Sequence, residues 1–258
     1  MNSKPILLVA GEPNSIFLEI LFKTYRKKKV KKPLILICSL KLLNLQMKKL
    51  NFKKKVRILE LEKIKEYKLD NKSINLIDVK YQPKKAFEKI SSKSNEYIEN
   101  SFKIAIKLIN LGIVNSLING PISKKKFLKN KYLGITEYLA KKFSKKKIAM
   151  LIYNKELSVC PITTHLPLKQ VPKKINRSII FEKVNLINLF YNKYFGFKPK
   201  IAITGLNPHC ESIEKNNEDK RIIEPVIKSL LKRKFKVYGP YSADTIFLKK
   251  NRSKFNVI

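Results

Sequence analysis

The amino-acid sequence predicts an α/β sandwich built on a largely parallel sheet. Apolar runs of strand length alternate along the chain with segments whose apolar residues recur at helical spacing. Gly and Pro punctuate several of the junctions, where they end strands and open turns. The 258 residues contain neither a repeat nor a flexible linker. That length suits one large domain or two intimate lobes, and it is ample for a buried core.

The elements follow in order. Residues Pro5 to Ala10 form a buried strand that breaks at Gly11-Glu12-Pro13. A helix from about Ser15 to Lys28 then places Ile16, Ile20 and Leu21 on one face. Leu34 to Cys38 is a second buried strand, and Leu42 to Leu50 a helix. Val56 to Leu61 and Ile74 to Val79 are weaker strand signals in a lysine-rich region. The clearest helix runs from about Asn95 to Leu111, where Ile98, Phe102, Ala105, Ile106 and Ile109 recur at helical spacing and Ser94 suits the N-cap. Val114 to Ile118 is a strand leading into Asn119-Gly120-Pro121-Ile122-Ser123-Lys124, and Gly134-Ile135-Thr136-Glu137 opens another helix. Ile148 to Tyr153 and Leu157 to Ile162 read as strands, and Ile179 to Tyr194 as a long amphipathic helix. Ile201 to Thr204 is a strand, Asp219 to Lys232 a helix with Pro225 in its first turn, and Phe235 to Tyr238 a strand ending at Gly239-Pro240. Phe255 to Ile258 looks like the opening of a further strand.

Composition narrows the function. A formal charge of +38 first suggests nucleic acid, but only six of the 57 basic residues are arginine, the side chain best suited to bidentate contacts. The lysines spread along the whole chain in short clusters, so the charge lies on solvated faces and argues against specific nucleic-acid binding. Weak attraction for anionic substrates is the safer consequence. Cys38, Cys160 and Cys210 are odd in number and widely spaced, which fits a reducing compartment rather than a disulfide framework. The apolar run at the amino end is too short for a signal peptide, and the longest uncharged stretch, Leu108 to Ser123, is too short for a membrane span. A cytoplasmic protein with no membrane partner is expected.

The chemistry centres on two histidines, the only ones in the chain: His165 in Thr163-Thr164-His165-Leu166-Pro167-Leu168 and His209 in Gly205-Leu206-Asn207-Pro208-His209-Cys210-Glu211. Imidazole is the commonest metal ligand. Each histidine also follows a strand-like run, and strand ends are where open α/β sheets place their ligands. The sequence contains no GxGxxG, no GxxxxGK[ST] and no GxSxG, which removes the usual dinucleotide, P-loop and serine-hydrolase readings.

Six frames taken together, Gly11-Glu12-Pro13, Asn119 to Lys124, Gly134 to Glu137, Thr164 to Leu168, Gly205 to His209 and Gly239 to Thr245, resemble in order those of the PdxA family of 4-hydroxythreonine-4-phosphate dehydrogenases, which serve pyridoxal phosphate synthesis. The resemblance implies a three-layer α/β/α fold like isocitrate and isopropylmalate dehydrogenases, with two intimate lobes in one unit over residues 1–258. It implies NAD (or NADP) as cofactor, a divalent metal (zinc, magnesium or cobalt), a small phosphorylated substrate and a homodimer with a shared active site. His165 and His209 match two metal-binding histidines of the family, Thr136 matches a substrate-contacting threonine, and Asp244 matches an acidic residue near the active site. Lys124 could add positive charge there. Such residues suit alcohol oxidation, in which a proton leaves oxygen, a hydride leaves carbon, and a bound cation polarises the oxygen. Glu12 reads equally well as part of a strand-to-helix turn, and Glu137 as a charge stabilising a helix start.

Two departures qualify the match. Ile135 stands where the family usually carries a second substrate-contacting histidine, and Cys210 to Asp219 replaces a glycine-rich acidic loop. The family's third metal histidine lies downstream of the Ala-Asp-Thr frame and has no counterpart here, so the chain looks truncated at its carboxyl end. Two alternatives therefore stand beside the first reading. One is a dehydrogenase of a phosphorylated sugar acid such as threonate or erythronate 4-phosphate; the other is a truncated inactive or binding-only member. The general base is unassigned.

Overall fold

Ile6–Val9 (β1) offers solvent no polar face, and it forms an inner strand of a five-stranded parallel sheet. A computed structural model of the chain describes residues 4–28, 30–129, 131–132, 134–144, 147–210 and 216–258. The chain divides between Phe143 and Ser144 into two units.

In the first unit α1 (Phe17–Lys27) leads to β2 (Leu34–Cys38), and α2 (Leu40–Lys49) to β3 (Val56–Ile58). Next come β4 (Ile74–Asp78), α3 (Asn95–Asn110), β5 (Leu117–Asn119) and α4 (Ile135–Lys142). The strand order is β3-β4-β2-β1-β5, and Leu8 lies between Leu36 and Ile118. Alternate residues of β1 feed opposite cores. Leu8 packs with Leu18, Leu21, Phe22, Leu42 and Leu43 of α1 and α2, whereas Leu7 and Val9 pack with Ile98, Phe102 and Ala105 of α3. Helices cover both faces, which explains why β1 and β2 are continuously apolar.

Two local expectations change. The inward face of α1 is Leu18, Leu21 and Phe22, while Ile16 and Ile20 are exposed. The three inward residues, spaced i, i+3 and i+4, pack on the same core as Leu8 and Leu36 of the sheet, where Phe22 also stacks on Phe52 with ring centroids 4.4 Å apart. Ser94 does not cap α3 with its side chain; its hydroxyl donates to Glu12 Oε2 at 3.0 Å and to the Ser91 carbonyl.

The second unit contains α5 (Val171–Lys174), α6 (Arg177–Phe195), β6 (Ile201–Thr204), α7 (Glu224–Lys232), β7 (Val237–Tyr241) and α8 (Lys249–Arg252). Asn176 caps α6 by accepting the Ile179 N–H, and Gly196 ends it in the left-handed conformation. Ile180, Val184, Ile187 and Tyr191 turn inward from α6 onto Ile201, Val237 and the α7 residues Val226, Ile227 and Leu230. β6 and β7 pair in parallel, and Val257 bridges in parallel to both Ser158 and Ile201. The two strands expected over 148–153 and 157–162 meet each other only at an antiparallel bridge, Ile152 with Val159. The bonds of the second segment go instead to the chain's last residues: Ser158 N–H donates to Asn256, and Cys160 N–H to Ile258. Nor does β7 end before Gly239. It continues through the cis Gly239–Pro240 bond to Tyr241, with a register shift opposite Ala202 and Thr204. A Cβ at Gly239 would lie 2.4 Å from the Ile203 carbonyl oxygen, so glycine allows this irregular pairing. No helix among the described residues is long and apolar enough to cross a membrane.

Candidate active-site residues

Parallel pairing brings the carboxyl ends of β6 and β7 to the same side, the edge where α/β sheets hold their ligands. β6 runs into Gly205-Leu206-Asn207-Pro208-His209, and β7 into Ser242-Ala243-Asp244. The Gly205 N–H donates to the Tyr241 carbonyl at 2.9 Å, tying the two loops together at their roots. His209 Nδ1 consequently lies 3.7 Å from Asp244 Oδ2, with both side chains more than half exposed. The Ser242 hydroxyl donates to Asp244 Oδ1. That hydrogen bond, helped by the nearby imidazole, holds the Asp244 carboxyl below its ordinary pKa. Asp244 is therefore a carboxylate at neutral pH, with Oδ2 facing Nδ1 of His209.

Both histidines sit in the left-handed backbone region, His165 at φ 56° and His209 at φ 55°. Residues other than glycine pay for that conformation, and such outliers concentrate at functional sites. In the same unit, a largely apolar cavity of about 250 Å³ is lined by Cys160, Ile162, Thr163, Thr204, Leu206 and Lys183 among others, most of them from the segments that lead to the two histidines. Burial raises the Cys160 thiol pKa, opposed by the Lys183 charge.

Asp219, which the sequence places at the end of the replacement loop and the start of a helix, has a role that no sequence pattern signals. It is fully buried and accepts three hydrogen bonds from the loop that carries His209: Leu206 N–H at 2.7 Å, Asn207 N–H at 3.1 Å and Asn207 Nδ2 at 2.9 Å. An aspartate thirteen residues from its partner leaves no spacing signature. A possible hint was Gly205, where a Cβ would lie 3.1 Å from Asp219 Oδ1 and 2.8 Å from Cys210 Sγ. Residues 211–215 of the replacement loop lie outside the described residues.

The first unit holds the remaining predicted residues. Gly11 and Gly120 let the loops after β1 and β5 touch, and the Glu12 N–H donates to the Pro121 carbonyl at 2.8 Å. Glu12 itself is buried, accepting hydrogen bonds from Ser94 and Asn14, so its role here is to hold the turn together. Lys124 opens a π-helical turn over Lys124–Leu128 and is exposed. Thr136 is the second residue of α4, whose N-cap is Gly134, and is half-buried. Ile135 packs against the core of this unit. That apolar contact explains why the position accepts isoleucine.

The donor chemistry around His209 fits a divalent cation. Imidazole nitrogen and carboxylate oxygen are the ligands that zinc and its neighbours accept, and both groups are exposed here. Among the described residues no three His, Cys, Asp or Glu side chains gather into an enclosing set. His209 and Asp244 are two donor groups of the kinds such a cation accepts.

A family model described as pyridoxal phosphate biosynthetic protein PdxA matches residues 29–258. The chain belongs to the PdxA family. A 4-hydroxythreonine-4-phosphate dehydrogenase from Sulfurihydrogenibium sp. (strain YO3AOP1) is 36% identical to it, over 94% of this chain and 75% of the relative. A D-threonate 4-phosphate dehydrogenase from Salmonella typhimurium (strain LT2) is 26% identical, over 100% and 80%. The crystal structure of a Klebsiella pneumoniae 4-hydroxythreonine-4-phosphate dehydrogenase shares the fold with a TM-score of 0.81 and 24% identity, over 99% of this chain and 80% of that one. As a PdxA member this chain is an oxidoreductase, and the α/β fold read from the sequence is the family's fold.

Proposed function

We propose that the chain oxidises 4-phosphohydroxy-L-threonine with NAD (or NADP) to a 3-keto acid. Loss of carbon dioxide then gives 3-amino-2-oxopropyl phosphate, a step of pyridoxal phosphate synthesis. The observation that carries this reading is the meeting of His209 and Asp244 at the carboxyl edge of β6 and β7 in a PdxA chain. Relatives named 4-hydroxythreonine-4-phosphate dehydrogenase that match nearly the whole chain support it.

In this reading His165 and His209 hold a divalent cation, with Asp244 beside them. When bound, that cation supplies Lewis-acid polarisation of the alcohol oxygen, and the nicotinamide accepts the hydride. The chain's own groups prepare the site. Asp244 places a carboxylate charge 3.7 Å from Nδ1 of His209. Ser242 fixes the carboxylate by donating to its other oxygen. Within the first unit, Thr136 keeps the substrate-contacting role that the family resemblance implies, at the amino end of α4 where backbone N–H groups favour an anion, and Lys124 is a further positive charge of that unit. The protein acts in the cytoplasm as a homodimer. Exposed apolar side chains on α6, including Leu189, Phe190, Tyr194 and Phe195, favour association with a second copy.

A second substrate, a threonate or erythronate 4-phosphate, is favoured by one observation. Isoleucine at position 135 offers no polar contact to substrate, and a relative of 26% identity is a D-threonate 4-phosphate dehydrogenase. Initial rates of reduced-nicotinamide formation with the two substrates decide between them. The first reading expects kcat/KM at least about tenfold higher with 4-phosphohydroxythreonine, a difference of about 1.4 kcal/mol in transition-state binding. A reversed ratio assigns the chain to the sugar-acid substrate.

A further inference from the structure

Loops that hold a functional side chain in a strained backbone conformation need a fixed point, and His209 has one. Asp219 lies at the start of a π-helical turn, Asp219–Ile223, that runs directly into α7. Its carboxylate is fully buried, and no ion pair among the described residues engages it. A buried carboxylate without a cation is costly unless N–H groups replace its water. Here the replacement is entirely local: Oδ1 accepts from Leu206 N–H, and Oδ2 accepts from both the backbone and the side-chain nitrogen of Asn207. Glu218 Oε2 accepts a further bond from Asn207 Nδ2 at 3.3 Å. The anchored residues lie two and three positions before His209, and the Cys210 N–H donates back to the Asn207 carbonyl at 3.1 Å. The residues before His209 are thus held to the turn that continues into α7, and the Cys210 N–H closes a turn back onto the held Asn207.

We propose that Asp219 is the positioning residue for His209. Its carboxylate fixes Leu206 and Asn207, so that His209 keeps φ 55° and its Nδ1 stays opposite Asp244. The idea rests on the reading of His209 as the working histidine, but its test does not depend on activity. An amide at position 219 keeps the shape yet has only one acceptor oxygen. In Asp219→Asn the new Nδ2 donor must face an N–H of Leu206 or Asn207, so at least one of the three contacts is lost.

Because the chain has two histidines, imidazole NMR of the whole metal-free protein resolves each side chain, and His209→Asn assigns them. In Asp219→Asn the His209 signals are expected to shift and broaden as the loop samples several conformers, while those of His165 stay in place. The control is Val226→Ala, which thins the core of α7 and lowers stability without touching the clamp. It should leave both histidines unchanged. Titration with zinc should then show affinity about 10–100-fold weaker for Asp219→Asn than for wild type, and normal for Val226→Ala. Unchanged His209 signals in Asp219→Asn, or equal disturbance in Val226→Ala, overturn the positioning role. Absence of zinc binding in the wild type would count against the metal reading of the site and leave the NMR result to decide the role of Asp219.

Discussion

His209→Asn is expected to lower kcat/KM for the phosphorylated hydroxy acid roughly 10³-fold, equivalent to about 4 kcal/mol of transition-state stabilisation. Asparagine is the informative replacement. It tolerates the left-handed backbone at φ 55°, whereas alanine would add strain at that position. The exposed side chain contributes little packing, so unfolding free energy should remain within about 0.5 kcal/mol of wild type. Bound divalent metal, measured by elemental analysis, should fall together with the activity. His165→Asn should behave similarly, because its histidine occupies the same backbone region and is also exposed. If either variant keeps full activity, that histidine lies outside the reacting machinery.

The largest stability loss is expected from Gly120→Ala. The loops that follow β1 and β5 approach so closely that a Cβ at position 120 would lie 2.1 Å from the Ala10 carbonyl oxygen and 2.9 Å from the Phe17 ring. Neither neighbour gives way easily. The Ala10 N–H is bonded to the Ile37 carbonyl, and Phe17 opens α1 against the core. Overpacking of this kind costs about 3 kcal/mol, at the upper end of the usual range. Denaturant unfolding should register the loss as a lower midpoint with an unchanged slope. Gly196→Ala is the comparison: nothing lies within 4 Å of a Cβ there, so only the positive φ of 77° is penalised, by about 1 kcal/mol. Equal losses at the two positions would show that the loop contact at Gly120 is softer than the geometry indicates.

Much of the fold was legible because hydrophobic periodicity is a local property. The continuous apolar runs at Ile6–Val9 and Leu34–Cys38 announced strands covered on both faces, and Ile98, Phe102 and Ala105 announced the buried stripe of α3. What failed locally depended on partners far away. Residues 256–258 take up the bonds of the segment around Ser158. The meeting of His209 with Asp244 could be anticipated only through the family's frames, because 35 residues separate them and parallel pairing of β6 with β7 brings them together. Asp219 was invisible for the same reason, since its three donors belong to another stretch of chain. Ile135 shows the opposite case. It stood out as a missing polar contact, and the structure supplies a local reason for it in the core beneath α4.

The central question is whether this chain, with its two histidines, forms a working dehydrogenase centre. The direct measurement is the initial rate of reduced-nicotinamide formation by the purified protein with 4-phosphohydroxythreonine and NAD, before and after metal removal by a chelator. The expected result is substrate-dependent reduction that stops on chelation, returns with added zinc or cobalt, and is lost in His209→Asn. Turnover that survives chelation and the His209 substitution would contradict it, as would a metal-loaded protein that reduces no nicotinamide with either phosphorylated acid.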